Sequence, residues 1–142
     1  MPMIDIYAPK ETFTDKKGLA QAAAQLMMQV EEVPQIDMFK QNTAGFVHDL
    51  DVDSYANAAG ESNYVRVQVL TNAGALNRDK QLSLTEKMVD LIAKYGHDET
   101  LKNRTWVLLT EAIEGGWGLQ GHAFTNEELV TKAREEIGKL QK

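Results

Sequence analysis

A chain of 142 residues with 43% hydrophobic and 25% charged residues has the size and balance of one folded domain with its own core, which argues against a disordered segment. Fifteen Lys and Arg stand against 21 Asp and Glu, for a net charge of −6 and no basic stripe to displace counterions from a phosphate backbone, so nucleic acid is not an expected partner. Cysteine is absent, the first residues carry no basic leader, and no apolar run approaches the ~20 residues of a membrane span; the expectation is a cytoplasmic protein without disulfides, zinc–thiolate sites or a membrane partner.

The first predicted element is a strand-like run from Pro2 to Tyr7. Removal of Met1 leaves Pro2 with a secondary amine at the head of that strand. An α-amino group titrates near ~7.7–8, and an apolar pocket or a nearby cation disfavours its charged form, bringing a neutral base into range at physiological pH. Proline makes up ~5% of residues, so Met-Pro at a start also arises with no chemical purpose. From Thr14 the period changes: Leu19, Ala22, Ala23, Leu26, Met27 and Val30 recur three and four apart on one helical stripe, with Thr14 as the expected N-cap and Asp15 favoured by the helix dipole. Pro34 is expected to end this helix. Asp37 to Asp49 reads as extended, and Asn57 to Asn63 as a connection.

A second cycle opens at Tyr64, where Val65, Val67 and Val69 alternate with Arg66 and Gln68. A helix is expected from about Arg78, with Leu84, Met88, Leu91, Ile92 and Tyr95 on one face and Gly96 at its C-cap. Thr105 to Thr110 forms the next strand, Gly115-Gly116-Trp117-Gly118 a turn, and Thr125 with Glu128 the capping box of a terminal amphipathic helix over 125–142.

Laid on each other, the two cycles reveal an internal repeat offset by roughly sixty residues, 2–62 and 63–124: Pro2 falls on Tyr64, Asp49 on Glu111 and Tyr55 on Trp117. Each unit is strand, helix, strand, and such crossovers are almost always right-handed between parallel strands. The fold class expected over 1–142 is α+β: two tandem β-α-β units forming a four-stranded sheet with two helices on one face, plus the C-terminal helix. The other sheet face is expected to be apolar and covered by oligomerisation.

An amino-terminal proline opening a β-α-β unit, a doubled chain, and Trp106 to Glu111 followed by the glycine-aromatic-glycine hairpin Glu114 to Gly121 together resemble the tautomerase superfamily, in particular its 4-oxalocrotonate tautomerase-like members of doubled length. His122 to Leu129 resembles the tail of many short members. Asp53-Ser54-Tyr55 resembles the doubled members related to cis-3-chloroacrylic acid dehalogenase. The resemblance implies a homotrimer whose proline pocket is completed by a neighbouring subunit. It also implies a cofactor-independent keto–enol tautomerase, an isomerase with Pro2 as general base on a small 2-oxo or 2-hydroxy-enoic acid. Alternatives are a related proline-dependent decarboxylase or hydratase, or a silent trimeric binding protein.

The chain departs from the superfamily pattern where cations are expected. The turn before the second helix carries Asn72 and Ala75 in place of arginines, and the second-strand position is Trp106. The candidate substrate-binding set is therefore Lys10, Asn72, Arg78, Trp106 and Trp117, with Lys10 and Arg78 as replacement cations and Trp117 as a pocket wall. Each has a plainer reading: solvated lysine, helix-surface arginine, core or interface tryptophan. Missing arginines favour monoacids such as arylpyruvate enols over dicarboxylates. The first-helix histidine of the dehalogenase corresponds to Met27 or Met28, and its water-activating acid to Gly116, which argues against hydration or dehalogenation. Asp49-Leu50-Asp51-Val52-Asp53 begins like a calcium loop but has Ser54 and Gly60 at the sixth and twelfth positions, and His48, His97 and His122 lack metal-ligand spacing, so no metal is expected.

Overall fold

Val65, Val67 and Val69 are fully buried while Arg66 and Leu70 are exposed, so the period-2 pattern of the third strand sorts its side chains between a core face and an open face. In the computed structural model, which describes residues 1–141, the order is β1 (Met3–Pro9), α1 (Lys16–Glu31), α2 (Asp37–Gln41), β2 (Ala44–Leu50), β3 (Val65–Thr71), α3 (Arg78–Gly96), a 3-10 turn (Glu99–Asn103), β4 (Thr105–Glu111), the hairpin strands β5 (Trp117–Leu119) and β6 (His122–Phe124), and α4 (Asn126–Leu140). Lys142, the last residue of the expected C-terminal helix, lies outside the described residues.

The sheet runs β2-β1-β3-β4. β1 pairs parallel with β2 and β3 parallel with β4, each across a helix, and β1 and β3 meet antiparallel with Met3 opposite Leu70. Two β-α-β units therefore sit side by side. Ile4 and Ile6 of β1 meet Leu19 and Met27 of α1 and Leu84, Met88 and Ile92 of α3, all fully buried, in one core between the sheet and the two helices. Each such side chain contributes ~1.5–3 kcal/mol of burial, which fixes the faces of both helices. β1 and β3 start 62 residues apart, at Met3 and Val65.

Several boundaries differ from the sequence reading. The first helix is capped by Asp15, whose side chain accepts from the Gly18 amide, not by Thr14. It ends at Glu31, with Glu32 in the left-handed conformation, before Pro34 can interrupt it. The stretch expected to be extended from Asp37 begins as the short helix α2, and only Ala44–Leu50 is a strand: Met38 is drawn into a cluster with Ile36 and Trp117, and tertiary burial overrides the local pattern. The residue in the left-handed conformation after α3 is His97, while Gly96 remains helical; glycine serves at 96 because a Cβ there would press on Leu101 of the 3-10 turn.

The open sheet face is mixed rather than uniformly apolar. Phe46, Leu70, Trp106 and Leu108 are exposed on it. Its centre is polar and aromatic: His48 stacks on Tyr7 with ring centroids 4.3 Å apart, its Nε2 lies 2.7 Å from Asp5 Oδ1, and the Arg66 guanidinium sits 5.7 Å above the Tyr7 ring. Among the described residues no helix is long and apolar enough to cross a membrane.

Gly45, on the core face of β2, lies directly against α1. A Cβ there would lie 2.9 Å from the Ala20 Cα and against the Ala20 carbonyl, both backbone atoms of a packed helix that cannot swing aside. Gly45→Ala is expected to lower stability by about 1–3 kcal/mol despite alanine's smaller entropy loss in a strand, as measured by urea denaturation.

Candidate active site

β1 is an interior strand, and its first residues are held by both neighbours. The Pro2 carbonyl accepts from the Ala44 amide at 3.2 Å, and Met3 is in register with Ala44 and Leu70. Pro2 is fully buried, and Met1 is 3% exposed. Met1 packs in a cluster with Ile36, Met38, Trp117, Leu129 and Ala133, so the amino terminus lies beneath α4 and beside the β5–β6 hairpin.

With Met1 in place, the Pro2 nitrogen is an amide and the terminal amine is that of Met1. This amine donates to Asn72 Oδ1 at 3.3 Å. Burial disfavours its charged form and lowers its pKa below the ordinary 8.0; the negative charge of Glu31 opposes that shift and is the smaller effect. Removal of Met1 vacates a methionine-sized volume at this place and leaves the Pro2 amine facing it.

The space adjoins a cavity of about 450 Å³ lined by Met1, Glu31, Phe39, Asn72, Asn126 and Arg134 together with aliphatic residues of the α1–α2 connection and α4. Glu31, the last residue of α1, is 9% exposed. Its Oε2 accepts from Thr71 Oγ1 at 2.7 Å, while Oε1 is buried without a partner. Asn72 turns its oxygen to the amine, and its Nδ2 is likewise buried and unpartnered. One orphaned acceptor and one orphaned donor thus flank the amine, a costly arrangement in an apolar surrounding unless a ligand or water completes it. α4, started by the Thr125–Glu128 capping box, is fixed over the site by Asn126 Nδ2 donating to the Ala73 carbonyl at 2.8 Å and by Glu136 Oε1 accepting from the Met38 amide at 3.1 Å.

The residues picked out from sequence divide sharply. Pro2, Asn72 and Trp117 come together; Trp117 is 7% exposed and packs on Met1 rather than standing in an open turn. Lys10 lies past the opposite end of β1, roughly 25 Å away at ~3.3 Å per residue, and pairs with Asp51 at 2.7 Å. Trp106 is level with Arg66 and hence with Tyr7, near that same far end, and stacks on Tyr64 at 4.6 Å. Arg78 opens α3 at the near end but is exposed and outside the cavity lining. Within one chain, then, neither replacement cation reaches the amine. Sequence reasoning missed Glu31, Asn126 and Arg134. Glu31 had a signal: it falls four residues after Met27 on the apolar stripe of α1, where a charge is out of place. Arg134 had none, since α4's docking is tertiary. Among the described residues no group of three or more His, Asp or Glu side chains is arranged to hold a metal ion.

No family model matches the sequence, and no curated protein matches it. Solved structures do. A wild-type fused 4-OT symmetric trimer is similar with a TM-score of 0.72 at 12% identity, over 89% of this chain and 98% of the other. N1, a member of the cis-3-chloroacrylic acid dehalogenase family, gives 0.71 at 13%, over 96% and 99%. A macrophage migration inhibitory factor-like protein from Entamoeba histolytica gives 0.67 at 16%, over 85% and 96%. The chain has the fold of the tautomerase superfamily.

The electrostatics of the amine are directly testable. In protein that retains Met1, NMR titration of a 15N-labelled Met1 amine is expected to give a midpoint below 8.0. Glu31→Gln removes the one charge that raises it, so the midpoint should fall further; an upward move would contradict the assignment of Glu31 as the amine's neighbour.

Proposed function

We propose that this protein, once Met1 is removed, is a cofactor-independent keto–enol tautomerase with the Pro2 amine as general base. The observation that carries the reading is the place of Pro2, fully buried at the head of an interior strand and beside an apolar cavity, a setting in which burial already disfavours the charged form of the Met1 amine attached to it. In the reaction, the amine takes a proton from the carbon next to a 2-oxo group. The C–H electron pair becomes the carbon–carbon double bond, negative charge moves to the oxygen, and the protonated amine passes its proton to that oxygen, which gives the enol and restores the free base. The reverse path returns the proton to carbon.

The charge that develops on oxygen needs a fixed donor, and Asn72 Nδ2 is one with no competing partner. Trp117 acts by holding the wall of the cluster around the amine, a packing role. Lys10 and Trp106, distant within the chain, join a site only if a neighbouring copy brings them to it. A homotrimer is part of this proposal, supported by the exposed apolar side chains on the open sheet face and by the symmetric-trimer neighbour of the same fold. Sedimentation is expected to show a trimer at micromolar concentration, and a stable monomer would count against it.

The base itself is tested on processed protein with phenylenolpyruvate. A placed general base contributes ~10²–10⁴-fold, so Pro2→Ala should lower kcat/KM substantially, with some activity left because a primary amine still accepts protons. A form carrying an extra amino-terminal residue has no basic Pro2 nitrogen and should lose the proline-dependent rate. Equal rates for wild type, Pro2→Ala and the blocked form would make Pro2 simply the first residue of a strand and leave the silent binding protein as the reading.

A further inference from the structure

The cavity beside the amine has an unusual charge inventory. Of its lining side chains only two are charged, Glu31 and Arg134, contributed by α1 and α4 beside the terminal amine. Most of the remainder is apolar, including Val33, Pro34, Phe39, Leu129, Val130 and Ile137. The turn before α3, where the superfamily pattern implies arginines, contributes Asn72, Ala73, Gly74 and Ala75 instead.

Arg134 is exposed on α4 and has no ion-pair partner among the described residues, although Glu135 and Glu136 follow it in sequence. A guanidinium in this position keeps its hydration until a ligand arrives and then offers a planar fork that matches a carboxylate with two parallel hydrogen bonds. Other cations near these elements do not line the cavity: Lys80 Nζ lies 3.5 Å from the Glu31 carbonyl, and Lys132 of α4 is bonded to Gln120. Glu31 has the opposite character: buried, anchored on Thr71, with Oε1 free to accept. A hydroxyl satisfies that oxygen. A second carboxylate does not, because two like charges sharing a poorly solvated site repel each other strongly.

We propose that Arg134, supplied by the C-terminal helix, is the clamp for a single substrate carboxylate, and that Glu31 in the same cavity turns a second carboxylate away. The ligand class is a monocarboxylic acid with an apolar body and a hydroxyl or enol donor. The identity of the reacting end rests on the tautomerase reading, whereas carboxylate capture does not. α4, which lies beyond the repeated β-α-β units, is on this account the element that sets substrate charge.

Calorimetric titration of processed protein with two unreactive acids, 3-phenylpropionate and the diacid adipate, tests the assignment separately from catalysis. Wild type should bind 3-phenylpropionate and discriminate against adipate. Arg134→Gln should weaken 3-phenylpropionate binding at least tenfold, Arg134→Lys should restore part of it, and Lys80→Gln should leave it within twofold. Glu31→Gln should strengthen adipate binding about tenfold. Circular dichroism of each variant checks that α4 is retained, and the lysine variant carries the test if the glutamine variant does not fold. No binding of 3-phenylpropionate by wild type, equal binding by Arg134→Gln, or a loss with Lys80→Gln in its place overturns the clamp. Unchanged adipate binding in Glu31→Gln overturns the exclusion. Arg134-dependent binding without turnover of phenylenolpyruvate sustains this proposal while counting against the tautomerase reading.

Discussion

The constraint on which the rest of the structure depends is that β1, the first element of the chain, is an interior strand. Hydrogen bonds to β2 on one side and β3 on the other hold it from Met3 onward, and the Pro2 carbonyl is already engaged by Ala44. A chain end is normally frayed and solvated. Here it is pinned, so its amine is taken out of water and its charged form is disfavoured. The ends of α1 and β3, the short helix α2 and the terminal helix α4 then close around that amine, which is why a cavity with orphaned polar atoms sits at this corner of the sheet.

The two β-α-β units share a scaffold but not this chemistry. The strand residue equivalent to Pro2 in the second unit is preceded by peptide-bonded chain, so no free amine can arise there. It is Tyr64, and its ring stacks on Trp106. One half of the molecule therefore keeps an open, polarised corner while the other closes its counterpart with aromatic packing. The β5–β6 hairpin and α4 have no equivalent in the first unit, and they cover the first unit's corner: Trp117, Leu129 and Ala133 all pack against Met1.

On the far side of the sheet the balance is different. Asp5, His48, Tyr7 and Arg66 satisfy one another through a hydrogen bond, a ring stack and a cation over a ring, and Phe46, Leu70, Trp106 and Leu108 are exposed around them. A face of this kind favours a partner that matches both its apolar border and its polar centre, since covering the centre with hydrocarbon would strip those groups of water without replacement. Such a face selects its partner more stringently than a uniformly apolar one.

The architecture was legible in the sequence because it rests on periodicity. Val65, Val67 and Val69 alternate as a strand with one buried face must, Leu84, Met88 and Ile92 recur as a buried helical face must, and a spacing of 62 between Pro2 and Tyr64 marks the repeated unit. The capping box of α4 was readable for the same reason, being a local hydrogen-bond pattern between Thr125 and Glu128. Pro2 could be singled out because its chemistry follows from its place in the chain. What tertiary structure alone decided is the company that the amine keeps. Glu31 from the end of one helix and Arg134 from another, 103 positions later, share a cavity only because α4 docks across α2 and the loop after β3. The same packing folded Asp37–Gln41 into a helix and left Lys10 and Trp106 toward the other end of the sheet. Local patterns report the face on which a side chain lies. Which faces meet is set by long-range packing, and no local signal in Lys10, Arg78 or Arg134 distinguishes the cation that reaches the cavity from those that do not.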